Sequence, residues 1–215
     1  MRIDKVILKA VVSTLLAIIV LFGVMIAALV LIYPSTMMTL TYNVGMDDAS
    51  AWFAGRAYNQ LDNVYYIAYA TEVSIGMEDY EKIDRYGSKF IEDESFGEYC
   101  AQVDADMAGI GGSYAQYIYG QVSVAKYALG KRQEGVELAF SVNREGFPER
   151  NAAAAVLMNA LLRNTEEDKP YIEDMLARMR AMLAQQESAQ TFPDADLDYL
   201  KTMINLTETR MDGLS

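Results

Sequence analysis

From Ala10 to Tyr33 the chain runs 24 residues without a charge, AVVSTLLAIIVLFGVMIAALVLIY, and no other feature limits the fold as strongly. A helix of that length measures roughly 36 Å, enough to cross a hydrocarbon core of about 30 Å with some tilt. Tyr33 suits the headgroup level, where amphipathic rings collect, and Pro34 ends the run. A cleaved signal peptide would carry a shorter apolar core, about 7–15 residues, and then a small-x-small cleavage site. No cysteine stands just beyond the run to take a lipid. We therefore expect an uncleaved signal-anchor over residues 10–33, in direct contact with the lipid bilayer.

The flanks set its direction. Arg2, Lys5 and Lys9 precede the run against a lone Asp4, and no Lys or Arg follows until Arg56. The positive-inside rule keeps residues 1–9 in the cytoplasm and places everything after Pro34 outside it, in the cell membrane's extracytoplasmic space. Within the run, Gly23 and Ala27 form a small-xxx-small pair that would let two such helices pack closely, a route to a homo-oligomer.

Composition removes whole classes of chemistry. The 215 residues contain no histidine and one cysteine. Ser-His and Cys-His nucleophile pairs, disulfides within the chain and Cys-rich metal sites are thereby excluded, and no cofactor is expected. Cys100, alone in an oxidising compartment, is expected to be buried. The formal charge of −12 argues against nucleic acid, whose phosphates demand Lys and Arg.

Residues 34–46, PSTMMTLTYNVGM, show neither a helical stripe nor a charge and read as a short stalk. From Asp47 to Ser215 nearly every segment reads as helix. Asp47 or Asp48 can cap the first, to about Gln60. Further helices are expected over 63–75, stopped by Gly76, then 78–92 and 95–107. A break at Gly109, Gly111 and Gly112 follows, and Ser113 caps 114–129. Gly130 ends that helix, 132–144 and 149–163 come next, and Pro170 and Pro193 stand near the starts of the last two. No segment alternates apolar and polar residues between turns, so the fold class is all-α: a transmembrane helix, then a bundle or short solenoid of antiparallel hairpins in one domain, 47–215.

Leu129-Gly130, then Glu134-Gly135 and Pro148, resemble the turn and second helix of a tetratricopeptide repeat. Gly76 followed by Asp79-Tyr80-Glu81-Lys82 is similar to the same turn. The resemblance covers about 70 residues and implies stacked helical hairpins that serve as a protein-binding scaffold. Gly76 and Gly130 lie 54 residues apart, not one repeat of about 34. Gly135 also stands where that family has alanine, and Pro148 falls one position late.

Eleven of the 15 tyrosines lie between residues 58 and 127. A tyrosine joins apolar area to a hydroxyl, so it serves helix packing and binding surfaces alike. Tyr65 and Tyr66, as neighbours, cannot both face one core, and Tyr117 and Tyr119 point about 200° apart on a helix. These four are the candidate partner-binding residues.

Other motifs read more weakly. Glu94-Ser95 resembles the catalytic dipeptide of helical lytic transglycosylases, where one Glu is general acid and base, but the Gly-Leu-Met-Gln segment of that family is replaced by Gly109-Ile110-Gly111-Gly112. The glycine cluster lacks the preceding strand of a dinucleotide loop. Asp194, Asp196 and Asp198 open like a calcium-binding EF-hand loop but lack its glycine and its closing glutamate, so no metal site is assigned. Asn205-Leu206-Thr207 satisfies a glycosylation sequon. The expected function is a membrane-held scaffold or accessory subunit for a protein partner at the membrane surface, with no catalytic set. The alternative is a module that binds or processes cell-wall glycan or a small ligand through a cleft joining Glu94 or Glu98 to tyrosines.

Overall fold

The computed structural model describes residues 5–107, 113–141, 147–162, 166–189 and 194–212. These residues form eleven α-helices and one short 3-10 turn, and no strand occurs among them, so the chain is all-α. Contacts divide it into two compact units, residues 1–73 and 74–215, where the sequence suggested one folded region from Asp47.

In the first unit, α1 (Lys5–Ile32) contains one stretch, Ile7–Ile32, long and apolar enough to cross a membrane, and none of its side chains is buried. The expected stalk differs from the structure. Pro34–Asn43 form a helix, α2, packed on α3 (Asp47–Leu61) and burying Pro34, Met38 and Thr41. Pro34 occupies the first turn, where its missing N–H costs nothing. Gly45, at φ +73°, closes the end: its N–H donates to Tyr42 O, and Met46 N–H donates to Thr41 O. Helix α3 starts from Met46 without a side-chain cap; Asp47 and Asp48 stand in its first turn, favoured there by the helix dipole. The unit ends within α4 (Val64–Gly76). Gly76 is the last residue of that helix, one position from the expected end. The left-handed residue is Glu78, at φ +56°, two positions on.

The second unit continues with α5 (Tyr80–Glu92), α6 (Phe96–Asp106), α7 (Tyr114–Ala128), α8 (Arg132–Phe140), α9 (Phe147–Leu161), α10 (Lys169–Ala189) and α11 (Asp194–Asp212). Asp79 caps α5 by accepting from Lys82 N–H at 3.1 Å, and Ser113 caps α7 by accepting from Gln116 N–H at 3.5 Å. Gly130 turns the chain at φ +81°, with Gly130 N–H donating to Tyr127 O and Lys131 N–H to Lys126 O. The expected break at Gly109–Gly112 and Pro193 lie outside the described residues, and α8 ends at Phe140, short of the expected 132–144.

Helix α7 is the hub, packing against α5, α6, α8 and α9. Two glycines let it do so: a Cβ on Gly135 of α8 would lie 2.6 Å from Ser123 O, and one on Gly120 would lie 3.1 Å from Val156 Cβ of α9. Below it a core runs through Tyr127, Val136, Leu157, Met158, Leu161, Ile172, Met175, Met179 and Leu200, joining α7 to α11. Cys100 is buried, as expected.

Candidate functional site

In the first unit the candidate pair Tyr65 and Tyr66 opens α4. Asn63 shapes this start: its Oδ1 accepts from Tyr65 N–H at 2.9 Å, and its carbonyl accepts from Tyr66 N–H at 3.1 Å. The two rings meet edge to face at 5.6 Å, Tyr65 half exposed and Tyr66 partly buried. Together with Ser35, Thr36, Met38, Thr39 and Leu40 of α2 they line an open groove of about 480 Å³. Behind them Tyr69 meets Tyr42 edge to face at 6.1 Å and donates from its hydroxyl to Ser50 Oγ at 3.3 Å. Burial pushes the Tyr69 phenol above its ordinary value.

The groove wall is neutral throughout. It offers hydroxyls and apolar surface but no carboxylate, amine or thiol, so nothing in its wall exchanges protons near neutral pH. Sequence reasoning found its tyrosines and missed its other wall, because α2 was read as irregular chain.

In the second unit Tyr117 and Tyr119 diverge as the helical spacing requires. Tyr117 is 43% exposed, and its ring lies 6.4 Å from Tyr114, which lies 6.3 Å from Tyr99. Tyr119 turns inward to meet Phe96 edge to face at 5.7 Å. Asp104 Oδ1 accepts from Tyr114 N–H at 2.6 Å and fixes where the ledge begins. The result is a row of three rings, Tyr99, Tyr114 and Tyr117, over an aromatic base of Phe90 and Phe96.

Two charged clusters escaped the sequence reading. Asp84 of α5 is buried and receives Lys126 of α7 at 2.7 Å on Oδ1 and Lys131 at 2.6 Å on Oδ2. Burial alone would raise the Asp84 carboxyl, but the two ammonium groups outweigh it and hold it below its ordinary value. Asp168, 3% exposed, accepts from the Tyr127 hydroxyl at 2.5 Å, and Arg132 Nε stands 3.4 Å away on the same oxygen. Burial first, then that carboxylate, push the Tyr127 phenol well above its ordinary value. Partners 41 to 47 residues apart leave no local signature.

The remaining motifs find their places. Glu94 and Glu98 are exposed, and neither lines the groove. Asp194 to Asp198 lie on α11 rather than in a loop, and no group of three or more potential metal ligands occurs among the described residues. Asn205 is exposed, but Thr207 of the sequon is fully buried and donates to Met203 O at 2.8 Å. Gly23 and Ala27 are exposed on α1, and a Cβ on Gly23 would meet nothing within 4 Å. No protein-family model, curated protein or solved structure matches the chain.

Proposed function

We propose that this chain is a membrane-anchored helical-repeat scaffold that holds a protein partner at the extracytoplasmic surface. One observation carries the reading. Helices α3, α5, α7 and α9 begin at residues 47, 80, 114 and 147, at intervals of 33 or 34, and in the second unit α7 packs on both α5 and α9. The tetratricopeptide unit has the same length, about 34 residues, and stacks its first helices in the same order. The glycine spacing of 54 residues hid this period because Gly76 ends α4, just before α5, whereas Gly130 lies between α7 and α8. The Tyr99–Tyr114–Tyr117 row, with Tyr117 exposed and the other two partly buried, is the partner surface of this scaffold, since rigid aromatic rings give interfaces their anchors at low entropy cost.

Orientation follows from charge: the basic N-terminus stays inside and the acidic, folded region outside. The glycan-processing alternative has no geometric support from the groove, whose wall holds neither Glu94 nor Glu98. The test is crosslinking on intact cells followed by purification of the full chain, with external protease as a topology control. A defined protein should be recovered with the native chain and with Glu94→Gln, and should fall severalfold with Tyr117→Ala. Recovery unchanged by Tyr117→Ala removes the partner surface. Glycan cleavage abolished by Glu94→Gln overturns the scaffold reading, and a folded region protected from external protease reverses the topology.

A further inference from the structure

We propose that the groove between α2 and the Tyr65–Tyr66 pair is a phospholipid site at the outer edge of the bilayer, taking a lipid of zero net charge. The inference rests on the reading of α1 as a membrane span.

Charge is the first argument. The uncharged stretch does not end with α1 but continues to Met46, so that Ala10–Met46 contains no Asp, Glu, Lys or Arg. Over the whole chain 22% of residues are charged, and α2 departs from this while presenting Thr36, Thr39, Leu40, Tyr42 and Asn43 to the outside. A helix surface facing water in an acidic protein has no reason to avoid charge. One lying among headgroups does.

Distance is the second. A single residue, Tyr33, separates α1 from α2, and hydrogen bonds bridge it: Tyr33 N–H donates to Leu29 O at 2.9 Å and Met37 N–H to Tyr33 O at 3.1 Å. From Pro34 to Leu40 the chain climbs at most about 10 Å, close to the 5–8 Å that headgroups add on each side of the hydrocarbon. The far wall is held at the same height. Gln60 Nε2 donates to Ile32 O at 3.3 Å, which brings the end of α3 back to the end of the span just before Leu61 and the turn into Tyr65. Leu61 and Tyr65 are 50% and 49% exposed there.

The wall chemistry selects the occupant. The Ser35, Thr36 and tyrosine hydroxyls can donate to a phosphate or ester oxygen, the Thr39 hydroxyl being turned to Ser35 O at 3.2 Å, while Met38, Leu40 and the ring faces accept the top of an acyl chain. No cation lines the groove, and the nearest charges along the chain are Asp47, Asp48 and Asp62, so an anionic headgroup is disfavoured. Arg56, the first basic residue after the uncharged stretch, is engaged over the Trp52 ring at 5.1 Å.

Trp52 is the chain's one tryptophan, which makes the test direct. The full-length double variant Trp52→Phe, Tyr65→Trp is reconstituted into phosphatidylcholine vesicles containing a spin-labelled phosphatidylcholine. Flotation after an alkaline carbonate wash checks the anchor separately. The tryptophan at position 65 should lose emission when the label sits on the headgroup, and lose less when it sits at the chain terminus. Leu40→Glu added to this variant should restore emission, and in phosphatidylglycerol vesicles carrying the same labelled phosphatidylcholine the loss should deepen, because the host lipid competes less for the site. Flotation without quenching overturns the lipid site and leaves the anchor standing. Loss of flotation overturns both readings. Protection from lipid label and aqueous quencher alike, growing with protein density, would assign the groove to a second copy and overturn the proposal.

Discussion

At Gly135 the chain accepts a residue that weakens a helix, because anything larger would strike backbone. The Cβ of an alanine there would sit 2.6 Å from Ser123 O and 3.1 Å from Tyr127 N, and neither can yield without moving α7. That close approach is the physical reason a glycine stands at this position. Gly135→Ala should destabilise the protein by about 1–3 kcal/mol, net of the better helix propensity of alanine. For a chain of this size that lowers the melting temperature by roughly 3–10 °C, readable by circular dichroism. Gly120→Ala, which meets only the Val156 side chain at 3.1 Å, should cost less. The reverse order would mean that α8 can slide on α7. Glu78 shows how such detail hides in a sequence: the eye stops α4 at Gly76, yet the left-handed residue is a glutamate that nothing in its chemistry singles out.

Helix α2 was legible only through its punctuation. Its pattern has no amphipathic stripe, but Pro34 and Gly45 bracket it with the proline-first, glycine-last order that marks helix ends. A stripe is absent because both faces are apolar or hydroxylic. The Asp84 clamp was not legible at all, since Asp84 meets Lys131 across 47 residues and only the packing of α5 on α7 joins them. Its consequence can be measured by pH. A carboxyl held below its ordinary value stabilises the fold above its unfolded pKa of about 3.9, and this is lost as pH falls through the lower folded value. Asp84→Asn should therefore lower the urea midpoint at pH 7, by about 1–3 kcal/mol of stability, and flatten the decline in stability below about pH 4. An equal acid slope in both proteins would show that the clamp carries no linked proton.

Across the whole molecule, the helical class, most helix starts and the tyrosine-bearing segments could be read from periodicity and caps. The division after Val73 could not, because it depends on which helices touch. The structure also changes where the folded region should be cut. A fragment of residues 34–215 retains α2, whose Met38 and Thr41 are buried, whereas 47–215 loses it. Both should give helical spectra, and the longer fragment should melt higher by an amount set by about 2 kcal/mol or more of restored burial. Equal melting temperatures would mean that α2 contributes nothing to the first unit. The one-residue junction at Tyr33 has a consequence of another kind. A long flexible leash would let α2 and α3 sweep a volume beyond α1. Here the leash is absent. On the proposed reading of α1 as a membrane span, surface density rather than leash length would set the effective concentration of a partner, and encounter would become a search in two dimensions.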